Sequence, residues 1–151
     1  MWKICHLVDH HNKRCKDMWV AGKFLTVNEQ TIGFQGMLGM KLRISYKCEG
    51  DGFQCDGLCN SGYTFSFWFW HGPLLDLDDK YKNLDLSPTA CRVVWLAKRL
   101  PNQWGRLYMD NLFNSEKLFS ALYMAECLVH GVVRTNGRGF PPSTIQREEK
   151  N

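Results

Sequence analysis

Alternating hydrophobic and polar residues predict three β-strands in the first half of the chain. Residues 24–34 are rich in β-branched and aromatic side chains, as half-buried strands are. Residues 53–59 predict a second strand, and residues 41–47 are expected to lead into it. Residues 63–70 predict a strongly aromatic third strand. The tripeptide Asn-Ser-Gly at residues 60–62 is typical of a hairpin turn. The second and third strands are therefore expected to pair antiparallel.

Apolar residues at helical spacing predict helices at the start of the chain and in its second half. Residues 1–22 have roughly helical spacing with a polar centre and predict one helix or two short ones. Ser87 and Pro88 are the residue types preferred at a helix N-cap and first position. Ser115 is expected to cap a further helix, whose apolar positions run on to Leu128.

The remaining segments complete a mixed α/β order. Residues 104–110 predict a fourth strand and residues 131–134 a fifth, while residues 71–87 are expected to form a polar loop. Three antiparallel strands followed by βαβ units form a mixed sheet. This order resembles a ribonuclease-H-like domain up to the point where the chain stops.

We therefore expect a ribonuclease-H-like mixed sheet that is truncated on its C-terminal side. Residues 1–22 would be a helical lead-in, residues 23–135 an incomplete core, and residues 136–151 a flexible tail rich in Gly, Pro and charge. The truncation would leave apolar surface exposed and so favour self-association. The side chains expected to be exposed are Phe67, Phe69, Val132 and Phe140.

Composition and charge indicate the cellular location of the protein more than they indicate its function. A hydrophobic content of 44% and a charged content of 23% are ordinary for a soluble globular domain of 151 residues. A net charge of +4 gives only a mild attraction to polyanions. The start of the chain lacks the apolar region of a signal peptide, and residues 63–70 are too short to span a bilayer. We expect an intracellular protein without membrane contact.

Seven cysteines, an odd number without a secretion signal, favour reduced thiols. Cys55 and Cys59 lie four residues apart, and a looser His/Cys cluster lies near the start of the chain. Its members are Cys5, His6, His10, His11 and Cys15. Zinc sites usually combine a tighter pair with a second pair downstream, which is missing here. Thiols without metal are favoured over a zinc site.

Four short blocks, in order, resemble motifs of the piggyBac-type DNA transposases. They cover most of residues 24–140. They read TVNEQ with GFQG at residues 26–30 and 33–36, CNSGY at 59–63, YMDNLFNS at 108–115, and GVVRTN at 131–136. Any one block would be weak evidence, but four in the right order are specific.

The resemblance implies a nuclear enzyme that cuts and rejoins DNA at TTAA targets. Its ribonuclease-H-like core would hold two Mg²⁺ ions on three aspartates. The first aspartate corresponds to Asn28 and the second to Asp110, whereas the third lies beyond the residues present. A further aspartate, in the hairpin turn, corresponds to Asn60. Asp110 would thus be the retained catalytic and metal-binding residue of a degenerate site.

The chemistry makes the change at Asn28 important. Mg²⁺ prefers hard anionic oxygens, whereas asparagine offers one neutral carbonyl oxygen and an NH₂ group that repels a cation. Glu29 is adjacent, but neighbouring strand residues point to opposite faces. We therefore expect Mg²⁺ not to bind tightly. Without the resemblance, Asp110 could instead belong to a loop that caps the next helix, and Asn28 could be a hydrogen-bonded strand residue.

Two groups of side chains are candidates for weak DNA contacts. The basic candidates are Lys41, Arg43, Lys47, Arg134 and Arg138, for which a solvated basic face is the favoured interpretation. The aromatic run at residues 65–70 could stack on bases, but a buried core strand is favoured.

Three functions remain open. The chain could be a catalytically inactive remnant of a cut-and-paste transposase. It could be a domesticated module that binds DNA or protein without catalysis. It could also be an enzyme that another chain completes.

Overall fold

The computed structural model describes residues 2–37, 39, 41–43, 51–71, 77–100 and 105–133. Six strands in these ranges form a single mixed sheet, with four helices packed around it. The strands are β1 (Phe24–Gly33), β2 (Leu42–Arg43), β3 (Asp51–Asn60), β4 (Tyr63–Phe69), β5 (Arg106–Met109) and β6 (Leu128–Gly131). The helices are α1 (Trp2–Met18), α2 (Asp79–Lys82), α3 (Pro88–Ala97) and α4 (Glu116–Met124).

The strand pairing confirms the expected fold class. β3 pairs antiparallel with β1 on one side and with β4 and the short β2 on the other. β5 lies parallel to β1, and β6 lies parallel to β5. The sheet thus combines three long antiparallel strands with two parallel crossovers, through α3 and α4. The strand at residues 104–110 was expected beside the first strand, and β5 lies there.

The main hydrophobic core lies between the sheet and the helices α3 and α4. Alternate residues of the central strands point into it, as the two-residue period of a strand requires. These inward residues include Leu25, Val27, Leu58 and Leu107, all at most 2% exposed. We call this side of the sheet the α3/α4 face.

A smaller core covers part of the opposite face. Val8 of α1 packs there against Cys55 and Phe69, and Phe67 contacts the same cluster. The expectation of exposed apolar surface at Phe67 and Phe69 was therefore wrong, because α1 covers them. Val132 is 65% exposed, as expected, and Phe140 lies outside the described residues.

The predicted helix caps are confirmed. Ser87 Oγ accepts a hydrogen bond from Ala90 N at 3.2 Å, and Ser115 Oγ accepts one from Leu118 N at 3.3 Å. Each bond satisfies a backbone donor that the first turn of a helix leaves without an internal partner.

Two predicted boundaries were wrong. α4 ends at Met124, because Glu126 adopts a positive φ of 57°, a conformation that terminates helices. β6 then begins at Leu128 rather than at residue 131. The segment 71–87 was expected to be a loop, but it contains α2. Tyr81 accounts for that helical turn, since its side chain is 2% exposed and joins the main core.

The tail at residues 136–151 lies outside the described residues. Over the described ranges, none of the helices combines the length and apolar character needed to cross a membrane.

Candidate functional site

The parallel ladder between β1 and β5 brings Asn28 and Asp110 to the same place on the sheet. The ladder ends with the pair Val27 and Met109, both buried on the α3/α4 face. Asn28 and Asp110 are the next residue of each chain segment, and both are exposed. Because successive strand residues alternate between faces, the two side chains belong to the face opposite the main core.

Asp110 stands at the point where β5 turns toward α4. Its Oδ1 accepts a hydrogen bond from Asn111 N at 2.6 Å, and its backbone oxygen accepts one from Phe113 N at 3.1 Å. Phe113 is buried in the main core and holds the turn in place. The carboxylate therefore stabilises its own turn and also remains exposed to solvent, so the capping-loop interpretation and the site interpretation are compatible.

Gln30 and Gly57 lie next to Asn28 on the side of β3, away from β5. Gly57 lies directly opposite Asn28 on β3. A Cβ atom at Gly57 would lie 2.7 Å from Gln30 Oε1, so the missing side chain makes room for the glutamine. Gln30 Nε2 then donates to Thr64 Oγ1 at 2.9 Å and to Cys59 Sγ at 3.2 Å. No local sequence pattern predicts this contact, since it joins residues far apart in the chain.

Glu29 points away from the candidate site, as expected. It pairs in register with Asp56 of β3, whose side chain is fully buried on the α3/α4 face. Asp56 forms an ion pair with Arg92 of α3 and accepts a hydrogen bond from Trp70 Nε1 at 2.8 Å. Burial raises the pKa of Asp56 above its usual value, and Arg92 and Trp70 oppose the rise. Sequence reasoning missed this buried pair.

Asn60, which the motif resemblance matches to a turn aspartate, makes three hydrogen bonds as an amide. Its Nδ2 donates to Phe24 O at 2.9 Å, and its Oδ1 accepts from Trp19 Nε1 and from Gly22 N, both at 3.2 Å. The side chain joins the segment between α1 and β1 to the end of β3. An aspartate carboxylate has no N–H group and could not donate the hydrogen bond that Asn60 Nδ2 gives to Phe24 O.

The described basic candidates are partly neutralised. Lys41 Nζ lies 3.3 Å from Asp51 Oδ2, and Arg43 Nε lies 3.8 Å from Asp51 Oδ1. Two cations thus share one carboxylate. Arg134 and Arg138 lie outside the described residues.

The His/Cys cluster is only partly assembled. Cys15 Sγ lies 3.4 Å from His11 Nε2 and 3.6 Å from Tyr63 Oη. His6 and His10 are exposed on α1. Within the described ranges, no three His, Cys, Asp or Glu side chains form a group that could hold a metal ion.

The donor set around Asp110 does not fit the two-metal centre that the resemblance implies. Asp110 supplies one carboxylate, one oxygen of which already accepts a hydrogen bond from Asn111 N. Asn28 supplies a neutral amide oxygen in place of a second carboxylate. Two dications held about 4 Å apart need several bridging and flanking carboxylates.

The comparisons with known proteins identify the family. The family model described as Transposase IS4 matches residues 1–151. The cryo-EM structure of a piggyBac transposase synaptic complex with hairpin DNA has the same fold, with a TM-score of 0.78 and 22% identity. The alignment covers 97% of this chain and 30% of that one, so this chain spans less than a third of the length of that transposase. No curated protein sequence matches the chain. Since the family match extends over the whole sequence, this protein belongs to the Transposase IS4 family, and it shares its fold with a piggyBac transposase.

Proposed function

We propose that this chain keeps the scaffold of a transposase core and has lost its two-metal chemistry. One observation carries the proposal: Asn28 and Asp110 directly follow Val27 and Met109, the last pair of the β1–β5 ladder, and both are exposed. This is the position where two carboxylates would share a metal ion. An amide at one of the two leaves the charge of two dications without compensation.

The side-chain network beside Asn28 supports loss of chemistry rather than a relocated carboxylate. The nearest acid along β1, Glu29, belongs to the opposite face, and Asp56 is engaged with Arg92 in the interior. On the site face, the neighbour of Asn28 along the strand is Gln30, a second amide. A shift of register would be needed to bring an acid to this place.

Metal affinity tests the proposal directly. Mn²⁺ is titrated by calorimetry into the wild-type chain and into Asn28→Asp. The wild-type chain should bind weakly. A carboxylate about 4 Å from a divalent cation contributes about 2 kcal/mol even at the dielectric constant of water, so Asn28→Asp should bind roughly thirtyfold more tightly.

Two further variants separate a site from added charge. Thr26→Asp adds the same charge on the same strand and face, two residues before Asn28, and should leave Mn²⁺ affinity near the wild-type value. Asn28→Asp combined with Asp110→Ala should lose the gain. Equal affinity of the wild-type chain and Asn28→Asp would mean that Asn28 is not at the former metal position and would overturn the proposal.

Residual enzyme activity is the competing function. Mg²⁺-dependent nicking of TTAA-containing DNA by the wild-type chain, abolished by Asp110→Ala, would show that the chain acts as an enzyme, alone or with a second chain. The same assay includes Asn28→Asp, which places a second carboxylate beside Asp110.

The related solved structure is a complex with hairpin DNA. We therefore propose DNA as the partner of this chain and the nucleus as its site of action.

A further inference from the structure

A row of aromatic rings crosses three strands on the face opposite the main core. Tyr108 of β5 and His130 of β6 lie directly opposite each other, with ring centroids 5.1 Å apart and planes only 16° from parallel. Phe24 of β1 lies on the other side of Tyr108, with ring centroids 6.3 Å apart. We call Phe24, Tyr108 and His130 the ring row.

The ring row is open to solvent. Phe24 is 58% exposed, Tyr108 is 38% exposed, and His130 is also exposed. α1 covers this face of the sheet over β3 and β4, and β6 is the last strand in the sheet order of the described residues. Within the described ranges, His130 is therefore the outermost ring of the row.

One guanidinium lies beside the ring row. The guanidinium of Arg106 lies 5.8 Å from the centroid of the Phe24 ring and is exposed. β5 and β6 contain no acidic residue, and the one acid of β1, Glu29, belongs to the other face. Asp110, just after β5, is the nearest carboxylate along that strand.

We propose that the ring row is a stacking site for the bases of single-stranded nucleic acid. A base can extend the Tyr108–His130 stack on the outer side of His130, since every base has a flat π face. Arg106 is placed to contact the phosphates beside it. Aligned rings with a neighbouring guanidinium complement bases and phosphates. The bases of a duplex are already stacked on each other and could not extend the row.

The test measures binding of a fluorescently labelled oligothymidylate by anisotropy, at low salt and with a chelator present. The wild-type chain should bind the single strand more tightly than the matching duplex. His130→Ala and Tyr108→Ala should each weaken single-strand binding about tenfold. His130→Phe and Tyr108→Phe should retain it, because each keeps a ring. Tyr123→Ala is the matched control, since Tyr123 is 73% exposed on α4, away from the row.

Salt dependence separates the ring contribution from the charge contribution. Arg106→Gln should reduce the slope of log affinity against log salt by about 0.7, the value for one phosphate on a single strand. The ring variants should leave that slope unchanged. Thermal melting checks that each variant is folded. If an alanine variant does not fold, the phenylalanine variants, which keep a ring, are compared with the wild-type chain instead.

Three results would overturn the proposal: no binding of the single strand by the wild-type chain, equal binding of duplex and single strand, or full binding by the folded alanine variants. The chelator keeps this outcome independent of the Mn²⁺ titration. The proposed loss of two-metal chemistry and the proposed binding of a single strand can therefore each be confirmed or overturned independently of the other.

Discussion

The side-chain amide of Asn12 in α1 hydrogen-bonds both backbone groups of Phe67 in β4. Asn12 Oδ1 accepts from Phe67 N at 3.0 Å, and Asn12 Nδ2 donates to Phe67 O at 3.1 Å. The same Oδ1 accepts from Ser66 Oγ at 3.1 Å. In the described part of the chain β4 pairs with β3 alone, so the amide takes the place of a neighbouring strand. An edge strand protected in this way is less available for pairing with other chains.

Asn12→Ala should destabilise the fold. Asn12 is 2% exposed, and its removal takes away the side chain that bonds both backbone groups of Phe67 and the hydroxyl of Ser66. We expect the free energy of unfolding to fall by roughly 2–4 kcal/mol in urea titrations. Asn28→Ala is the matched control, because Asn28 is exposed and should change stability by less than about 0.5 kcal/mol. Equal effects of the two substitutions would contradict the edge-protecting role.

Asn60→Asp, which introduces the residue that the motif resemblance implies at this position, should destabilise the protein. The carboxylate would lose the donor to Phe24 O and place negative charge against that carbonyl. We expect a loss of about 1–3 kcal/mol at neutral pH. The protonated acid can donate again, so the pKa of the new carboxyl should be raised and the loss should shrink as the pH falls. Urea titrations at neutral and mildly acidic pH measure both effects. A variant as stable as the wild-type chain at neutral pH would show that the amide donor contributes nothing.

Features that depend on neighbours in sequence were predictable. Ser87 and Ser115 cap their helices because the bond runs to a backbone group three residues on. The long strands follow from the two-residue alternation of buried side chains. The start of β6 was not predictable. α4 ends because Glu126 adopts a positive φ, and glutamate is not a residue type that favours this conformation.

Contacts between distant residues were beyond sequence reasoning. The amides of Asn12, Gln30 and Asn60 find partners 29 to 55 residues away, and nothing local indicates which polar residue will be buried. The buried Asp56–Arg92 pair has the same origin. Asn28 and Asp110 were identified by motif resemblance. Their places directly after the last pair of the β1–β5 ladder are consistent with it, and their chemical roles remain predictions.

Arg92→Met should destabilise the fold in a pH-dependent manner. Removing one partner of a buried ion pair costs about 3–5 kcal/mol, and Asp56 would remain buried without its guanidinium. Burial already raises the pKa of Asp56, so its protonated form favours folding. That contribution is fully present below the unfolded pKa and is lost as the pH rises through the folded pKa. Without Arg92 the folded pKa should rise further, so the loss should extend to higher pH.

Urea titrations from acidic to neutral pH measure this loss. The double variant Asp56→Leu with Arg92→Met should regain most of the stability, because it leaves no buried charge. Simple addition of the two single effects would show that the side chains do not act as a pair.

The thiol of Cys127 should react slowly until strongly alkaline pH. Cys127 is buried beside Gly105, and Cys127 Sγ donates to Gly105 O at 3.6 Å. Burial raises the pKa of Cys127 from its usual value of 9.0 to about 11. Only the thiolate is nucleophilic, so at a pH below both values the folded protein should hold roughly 100-fold less reactive thiolate at this position than the unfolded chain. Iodoacetamide labelling at a series of pH values, quantified by mass spectrometry on the Cys127 peptide, measures the rate. In the folded protein the rate should still be rising as the pH approaches 11, whereas in urea it should level off near 9. The same pH profile with and without urea would mean that labelling occurs only through opened molecules, and the prediction would be wrong.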